Sequence, residues 1–314
     1  MAPRNPEECD YVVDAAGDGD YERLQAAIDG AKSFPSERVS IFVRDGVYEE
    51  KVTLHAWNTT LDLVGESVEG TVITHDDHFD RVDRGRNSTF FTHTLKVRGN
   101  DAVVRNLTVR NTAGPAADQA VALHVDADRA GFENCRFEGD QDTVYLAGEG
   151  ARQYFRDCYV EGTTDFVFGG ATAVFEDCEI RSKADSYVTA ASTPQSERFG
   201  FVFRDCAFTA EPEVSEVSLG RPWRDHAHVA VLDSRLGSHV RPEGWHNWSR
   251  PEAEKTVTYV EYDNSGPGAA DAGERVPWAR ALSSSEVERY ATEAVLGRGE
   301  AGESTAPWYR VDAA

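Results

Sequence analysis

Lysine is nearly missing from this chain, with 5 residues in 314 against 27 arginines. The 32 basic side chains face 55 acidic ones, for a formal net charge of −23. That shortage of positive charge excludes nucleic acid as a partner, because phosphate binding needs clustered cations. It excludes an anionic membrane surface for the same reason. Acidic excess with scarce lysine reads as a surface adapted to high salt. No run of 18 or more apolar residues occurs, so no transmembrane helix is expected. Met1–Asp10 lacks the basic start and apolar run of a secretion signal. A cytoplasmic chain and an exported chain freed of its leader both remain open. The five cysteines include no Cys-x-x-Cys pair and no partnering histidine spacing, which excludes a zinc site.

What is present suffices for a packed core: 40% hydrophobic residues, a tenth of the chain aromatic, which rules out global disorder. The chain reads as one domain over 1–314.

Its organisation comes from a short repeat. Phe132-Glu-Asn-Cys135-Arg-Phe137 returns as Phe155-Arg-Asp-Cys158-Tyr-Val160, Phe175-Glu-Asp-Cys178-Glu-Ile180 and Phe203-Arg-Asp-Cys206-Ala-Phe208. Looser copies are Val104-Arg-Asn-Leu107-Thr-Val109 and Val231-Leu-Asp-Ser234-Arg-Leu236. A strand motif returning every 20 to 28 residues, with little helix between, marks a solenoid of stacked strands. The Leu-x-x-Leu-x-Leu signature of leucine-rich repeats is absent, so the expectation is an all-β parallel β-helix. Positions four and six of the motif should share one face of a strand. Four cysteines then form a ladder of small buried residues, Leu107 filling the same slot. Neighbouring rungs lie ~4.8 Å apart, which allows a Cys158–Cys178 disulfide. Asp20–Ile28 reads as a capping helix with Asp20 as N-cap, and Ser284–Leu296 as a helix on the tail 281–314 that follows a core of 10–280.

The register also gathers carboxylates. Asp142 lies seven residues after Cys135, Asp165 seven after Cys158, and Asp185 seven after Cys178. Stacked at roughly 5 Å, two aspartates cannot both ionise comfortably. One then serves as nucleophile or base and the other as acid. The spacing alone does not choose two from three.

Neighbouring segments do. Gly139-Asp-Gln-Asp-Thr-Val-Tyr145, Gly162-Thr-Thr-Asp-Phe-Val-Phe-Gly169 and Leu219-Gly-Arg-Pro-Trp223 resemble the signatures of pectin methylesterases, carbohydrate esterases that demethylate pectin. Gly46–Glu50, Asn111–Pro115, Gln119–Leu123, Gly244–Trp248 and Glu261–Gly268 follow in family order, from about residue 10 to Trp308. The resemblance implies a right-handed parallel β-helix, hydrolysis of galacturonate methyl esters in homogalacturonan, and neither cofactor nor metal. It makes Asp165 the nucleophile, Asp142 the acid and then base, and Arg221 the group holding Asp165 ionised. Gln119 and Gln141 match the donors facing the oxyanion. Sugar rings present apolar C–H faces, so Trp223, Tyr145, Phe166 and Trp248 are expected as substrate contacts, with Thr89 added by its motif. Phe168 reads as packing, and Trp245 or Trp248 as structural. The departures are Ser88-Thr-Phe90, His226 after the Arg-Pro-Trp segment, and Gly170. The expected partner is a polysaccharide met by a monomer. The rival functions are a β-helical pectin lyase or polygalacturonase and a non-catalytic glycan-binding solenoid.

Overall fold

The computed structural model describes residues 6–270, 273–297 and 308–309. The expected parallel β-helix is the fold: three sheets of 11, 8 and 7 strands run along the molecule. Its crossovers follow the right-handed rule for parallel connections. One coil gives Ala130–Glu133 to the first sheet, Arg136–Glu138 to the second and Val144–Leu146 to the third. The next gives Arg152–Arg156, Tyr159–Gly162 and Val167–Gly169.

The repeat positions stand in register. Phe132 pairs with Val104 and Phe155, Phe155 with Phe175, Phe175 with Phe203, and Phe203 with Val231. Their rings stack down the interior at 4.6, 4.5 and 4.7 Å between centroids, an offset geometry that adds to the burial of each ring. The motif is nevertheless a corner and not one strand. Asn106, Asn134, Asp157, Asp177, Asp205 and Asp233 all have φ between 50° and 55°, and each turns the chain from the first sheet into the second. Only short polar side chains tolerate that left-handed conformation cheaply, which is why Asn or Asp fills the slot.

Cys135, Cys158, Cys178 and Cys206 form the expected buried ladder, but all carry free thiols. The Cys158–Cys178 bridge does not form. In-register neighbours in a parallel sheet hold their Cβ bonds side by side and not toward one another. The two thiols donate instead to the carbonyls of Arg156 and Glu176, at 3.3 Å each.

Both ends differ in detail from expectation. The first helix is Leu24–Gly30, and its cap comes from elsewhere in the chain. Glu50 accepts from Leu24 N–H at 2.8 Å and Gln25 N–H at 3.2 Å. Asp20 accepts from Val12 N–H instead. The tail helix is broken into Ser284–Val287, Glu288–Tyr290 and Thr292–Leu296, interrupted where Ala291 turns extended. Leu282, Tyr290, Val295, Leu296 and Tyr309 cover Val174, Val202, Ala230 and Leu232 on the outer face of the first sheet. Strands buried on both faces read as unbroken apolar runs. The rest of the 281–314 tail, 298–307 and 310–314, lies outside the described residues.

The third sheet matters most for function. Its strands bury alternate residues such as Val144, Leu146 and Val167 in the solenoid core. The intervening column, paired rung by rung, is Thr53, Lys96, His124, Tyr145, Phe168, Ala190 and Arg221. Alternation puts that whole column on the outer face.

Candidate active site

Asp142 and Asp165 occupy equivalent bends just before two neighbouring strands of the third sheet. Both are non-glycine residues in the left-handed region, with φ of 65° and 51°. Asp142 N–H donates to Thr164 O at 3.0 Å and Asp165 N–H to Tyr187 O at 2.8 Å, so rung pairing holds each bend. Such conformations cost about 1–2 kcal/mol each, and they aim both carboxyls out of the strand alternation onto one face. Asp185, the third residue at plus seven, is exposed and accepts from Ser215 N–H and Glu216 N–H at 2.8 Å. It stands apart from the pair.

Arg221 reaches Asp165 across two rungs with a two-pronged contact, Nε to Oδ1 at 2.9 Å and Nη2 to Oδ2 at 2.6 Å. Its guanidinium is sandwiched between Tyr187, 4.0 Å from the ring centroid, and Trp248, at 3.7 Å. The stack fixes the plane of the fork and keeps water from its faces. Burial holds the Asp165 carboxyl above the ordinary carboxylate range, and Arg221 offsets only part of that rise. Asp142 is lifted well above that range, first by burial and then by the charges of Asp165 and Asp118. With no cation bonded to it, Asp142 is where a shared proton sits. Burial raises both carboxyls, and only Asp165 has an arginine bonded to it that works against the rise.

Gln119 and Gln141 come from adjacent rungs, tied by Ala120 N–H donating to Gln141 O at 3.1 Å. Both are partly exposed beside the carboxylates. The Thr89 hydroxyl donates to Gln119 Oε1. With its carbonyl occupied, the Gln119 amide is left with its N–H groups to offer. Thr89, expected at the substrate, is buried, and its hydroxyl is taken up by Gln119.

The aromatic expectations divide. Tyr145, Trp223 and Trp248 are partly exposed and gather with Phe90 around Phe168. Tyr145 lies 4.7 Å and Trp223 5.8 Å from the Phe168 ring. Phe166, expected at the substrate, is wholly buried in the solenoid core, while Phe168, read as packing, is buried on the outer face of the third sheet beneath Phe90, Tyr145, Trp223 and Trp248. The left-handed bend at Asp165 resets the alternation, so Phe166 and Val167 both turn inward and Phe168 outward. Trp245 is structural: it is buried, stacks on Tyr259 at 4.4 Å and donates to Glu261 at 3.0 Å. Tyr187 escaped the sequence reading. Its signal was the register, two positions before Thr189 on the rung that follows Asp165.

Among the described residues, His75, Asp76 and Asp77 bring potential metal-ligand atoms within 4.8 Å of one another. Their carboxylates already pair with cations, Asp77 with Lys51 at 2.5 Å and Asp76 with Arg81, which leaves little charge for an ion.

Comparison with known proteins gives the family and the fold. The pectinesterase family model matches residues 10–300. Pectinesterase 31 of Arabidopsis thaliana is 36% identical over 285 residues, covering 88% of this chain and 89% of that protein. Other curated relatives are longer, and the chain spans 50% to 58% of several of them. Among solved structures, a pectin methylesterase from carrot superposes with a TM-score of 0.86 at 31% identity, covering 92% of this chain and 93% of that one. A pectin methylesterase in complex with a hexasaccharide superposes with a TM-score of 0.81 at 27% identity, covering 95% and 99%. With the family model spanning most of the chain and the fold shared throughout, this chain belongs to the pectinesterase family of carboxylic ester hydrolases.

Proposed function

We propose that Asp165 is the nucleophile and Asp142 the acid and base of an esterase that removes methyl groups from homogalacturonan. Ionised Asp165 attacks the carbonyl carbon of a galacturonate methyl ester. The carbonyl oxygen gains the displaced electron pair, and the amide N–H groups of Gln119 and Gln141 donate to it. Each such donor is worth about 3 kcal/mol of transition-state stabilisation. The intermediate collapses, the bond to the methoxy oxygen breaks, and Asp142 gives that oxygen its proton, so methanol departs. The remaining acyl group is an anhydride with Asp165. Asp142, now a carboxylate, takes a proton from water as the water attacks the acyl carbon. Asp165 leaves as a carboxylate, reprotonated Asp142 completes the cycle, and the product carboxylic acid gives its remaining proton to solvent.

The observation that carries this reading is the two-pronged Arg221–Asp165 contact beside an uncompensated, buried Asp142. Tyr145, Trp223 and Trp248 supply flat apolar surface for sugar rings, with Phe168 packed beneath them. One copy of the chain contains every group required, so the reading needs no second subunit. The test is methanol release from esterified pectin. Methanol without unsaturated chain ends or shortened chains supports an esterase. Unsaturated ends would mean a lyase, shortened chains a glycan hydrolase, and neither product with retained binding a glycan-binding solenoid.

A further inference from the structure

The loop 244–249 supplies one face of the stack around Arg221, and a histidine within it holds that face in place. Trp248, whose ring lies 3.7 Å from the guanidinium, has a φ of 56°, as does Ser249. Two successive left-handed residues without glycine are unfavourable in a free loop, so side chains have to hold them. Ser249 N–H donates to Asn247 Oδ1 at 2.9 Å, and Asn247 in turn donates to Glu254 at 2.6 Å. Trp248 N–H donates to His246 Nδ1 at 2.9 Å.

His246 is tied to the rest of the same stack. Its own N–H donates at 3.0 Å to the carbonyl of Gly220, the residue before Arg221. Its ring lies 5.3 Å from that of Tyr187, the other aromatic against the guanidinium. One residue thus bonds the strand that carries Arg221 and meets both residues whose rings enclose it. The bond to Trp248 has a chemical condition. Nδ1 accepts only while it carries no proton, so the neutral ring keeps its proton on Nε2. The charged groups facing the ring are Arg221, bonded to Asp165, and Arg241, paired with Glu243 and Glu216. The titratable ring of Tyr187 packs against it from the neighbouring strand. Burial and then the two arginines hold His246 below the ordinary histidine value, which favours the accepting form.

We propose that His246 is a positioning residue of this site, latching Trp248 over Arg221 through its Nδ1 acceptor. This rests on the esterase reading for what the stack achieves, a guanidinium plane fixed on both Asp165 oxygens. A proton at Nδ1 turns the acceptor into a donor facing a donor and sets a third cation beside Arg221 and Arg241. Trp248 then loses its anchor, and Arg221 is free to tilt away from Asp165. The site carries two acid-sensitive groups, the nucleophile and the latch on its arginine.

Substitutions separate the acceptor from the ring. Asparagine Oδ1 stands as many bonds from the backbone as histidine Nδ1, and Asn111 already accepts in this way from Ala113 N–H at 3.0 Å. His246→Asn therefore keeps an acceptor that does not titrate. His246→Phe keeps the ring and loses the acceptor, and His246→Ala loses both. The first experiment is methanol release at saturating substrate across a pH series, with melting curves confirming each fold. Loss of one hydrogen bond should lower kcat about fivefold in His246→Phe and His246→Ala and move the acidic limb upward. His246→Asn should recover most of that kcat and keep a larger fraction of it at about pH 5 than the wild type does. The second experiment follows the Trp248 backbone amide by nuclear magnetic resonance with substrate absent. Its resonance should shift as wild-type His246 gains a proton and stay in place in His246→Asn. Wild-type kcat in both His246→Phe and His246→Ala, or recovery by phenylalanine and not by asparagine, overturns the latch. A wild-type Trp248 amide unmoved from about pH 7 to about pH 4 overturns it as well. An amide that titrates with His246 in a chain releasing no methanol would leave the latch standing and sink the esterase reading.

Discussion

Replacing Arg221 with lysine separates charge from geometry at the centre of the site. The guanidinium bonds both Asp165 oxygens, at 2.9 and 2.6 Å, and lies between two aromatic rings at 3.7 and 4.0 Å. An ammonium keeps the charge but cannot bridge both oxygens or stack as a plane. The lost charge-assisted hydrogen bond is worth ~1.5–3 kcal/mol and the stacking ~0.5–1 kcal/mol. Their sum of about 2–4 kcal/mol corresponds to a kcat lowered roughly 30- to 1,000-fold. A pH signature accompanies it. Arg221 lowers an Asp165 carboxyl that burial raises, so loosening the contact lets Asp165 protonate at higher pH. The acidic limb of kcat/KM should therefore move upward. The assay is methanol release from esterified pectin across a pH series, with melting curves to show that the fold persists. A variant within about threefold of wild-type kcat, its acidic limb unmoved, would refute the role given to Arg221.

Two further predictions concern stability. Asp142→Asn should abolish activity yet raise the melting temperature at neutral pH. The folded Asp142 carboxyl sits well above the ordinary value, so the folded chain binds this proton more tightly than the unfolded one. Stability is lost as pH rises from ~4 through the raised value, and asparagine removes that loss. The gap in melting temperature between variant and wild type should close as pH falls toward 4, and a gap that widens instead would contradict the assignment. The net charge of −23 predicts that melting temperature and methanol release both rise with added KCl, most steeply at the dilute end. The Debye length shrinks from ~30 Å at 0.01 M to ~3 Å at 1 M, which removes most like-charge repulsion. A melting temperature flat across that series would end the high-salt reading.

Much of this protein was legible because a solenoid writes its register into its sequence. The apolar-x-(Asn/Asp)-Cys-x-apolar copies marked the rungs, and the left-handed φ of Asn134, Asp157, Asp177 and Asp205 explains why that slot admits so few residue types. The same register brought Asp142 and Asp165 together but left Asp185 as an equal candidate. The segments around Asp142 and Asp165 made the choice, and the Arg221 contact and the exposure of Asp185 agree with it. The aromatic contacts were harder. Phe166 turned inward because the bend at Asp165 breaks a two-residue period that sequence counting assumes continuous. Thr89 and Tyr187 act through Gln119 and Arg221, and such long-range support leaves no local pattern. Glu50 capping a helix 26 residues away escaped notice for the same reason, and Asp20 looked adequate in its place.

The account stands most directly on methanol release by Asp165→Ala, Asp142→Ala and Asp185→Ala, measured beside circular dichroism spectra showing an intact β-helix. Loss of a nucleophile or its acid partner should cost about 10⁴-fold or more in kcat, whereas Asp185→Ala should keep most of the wild-type rate. A folded Asp165→Ala or Asp142→Ala chain that releases methanol at near wild-type rate would contradict the central claim.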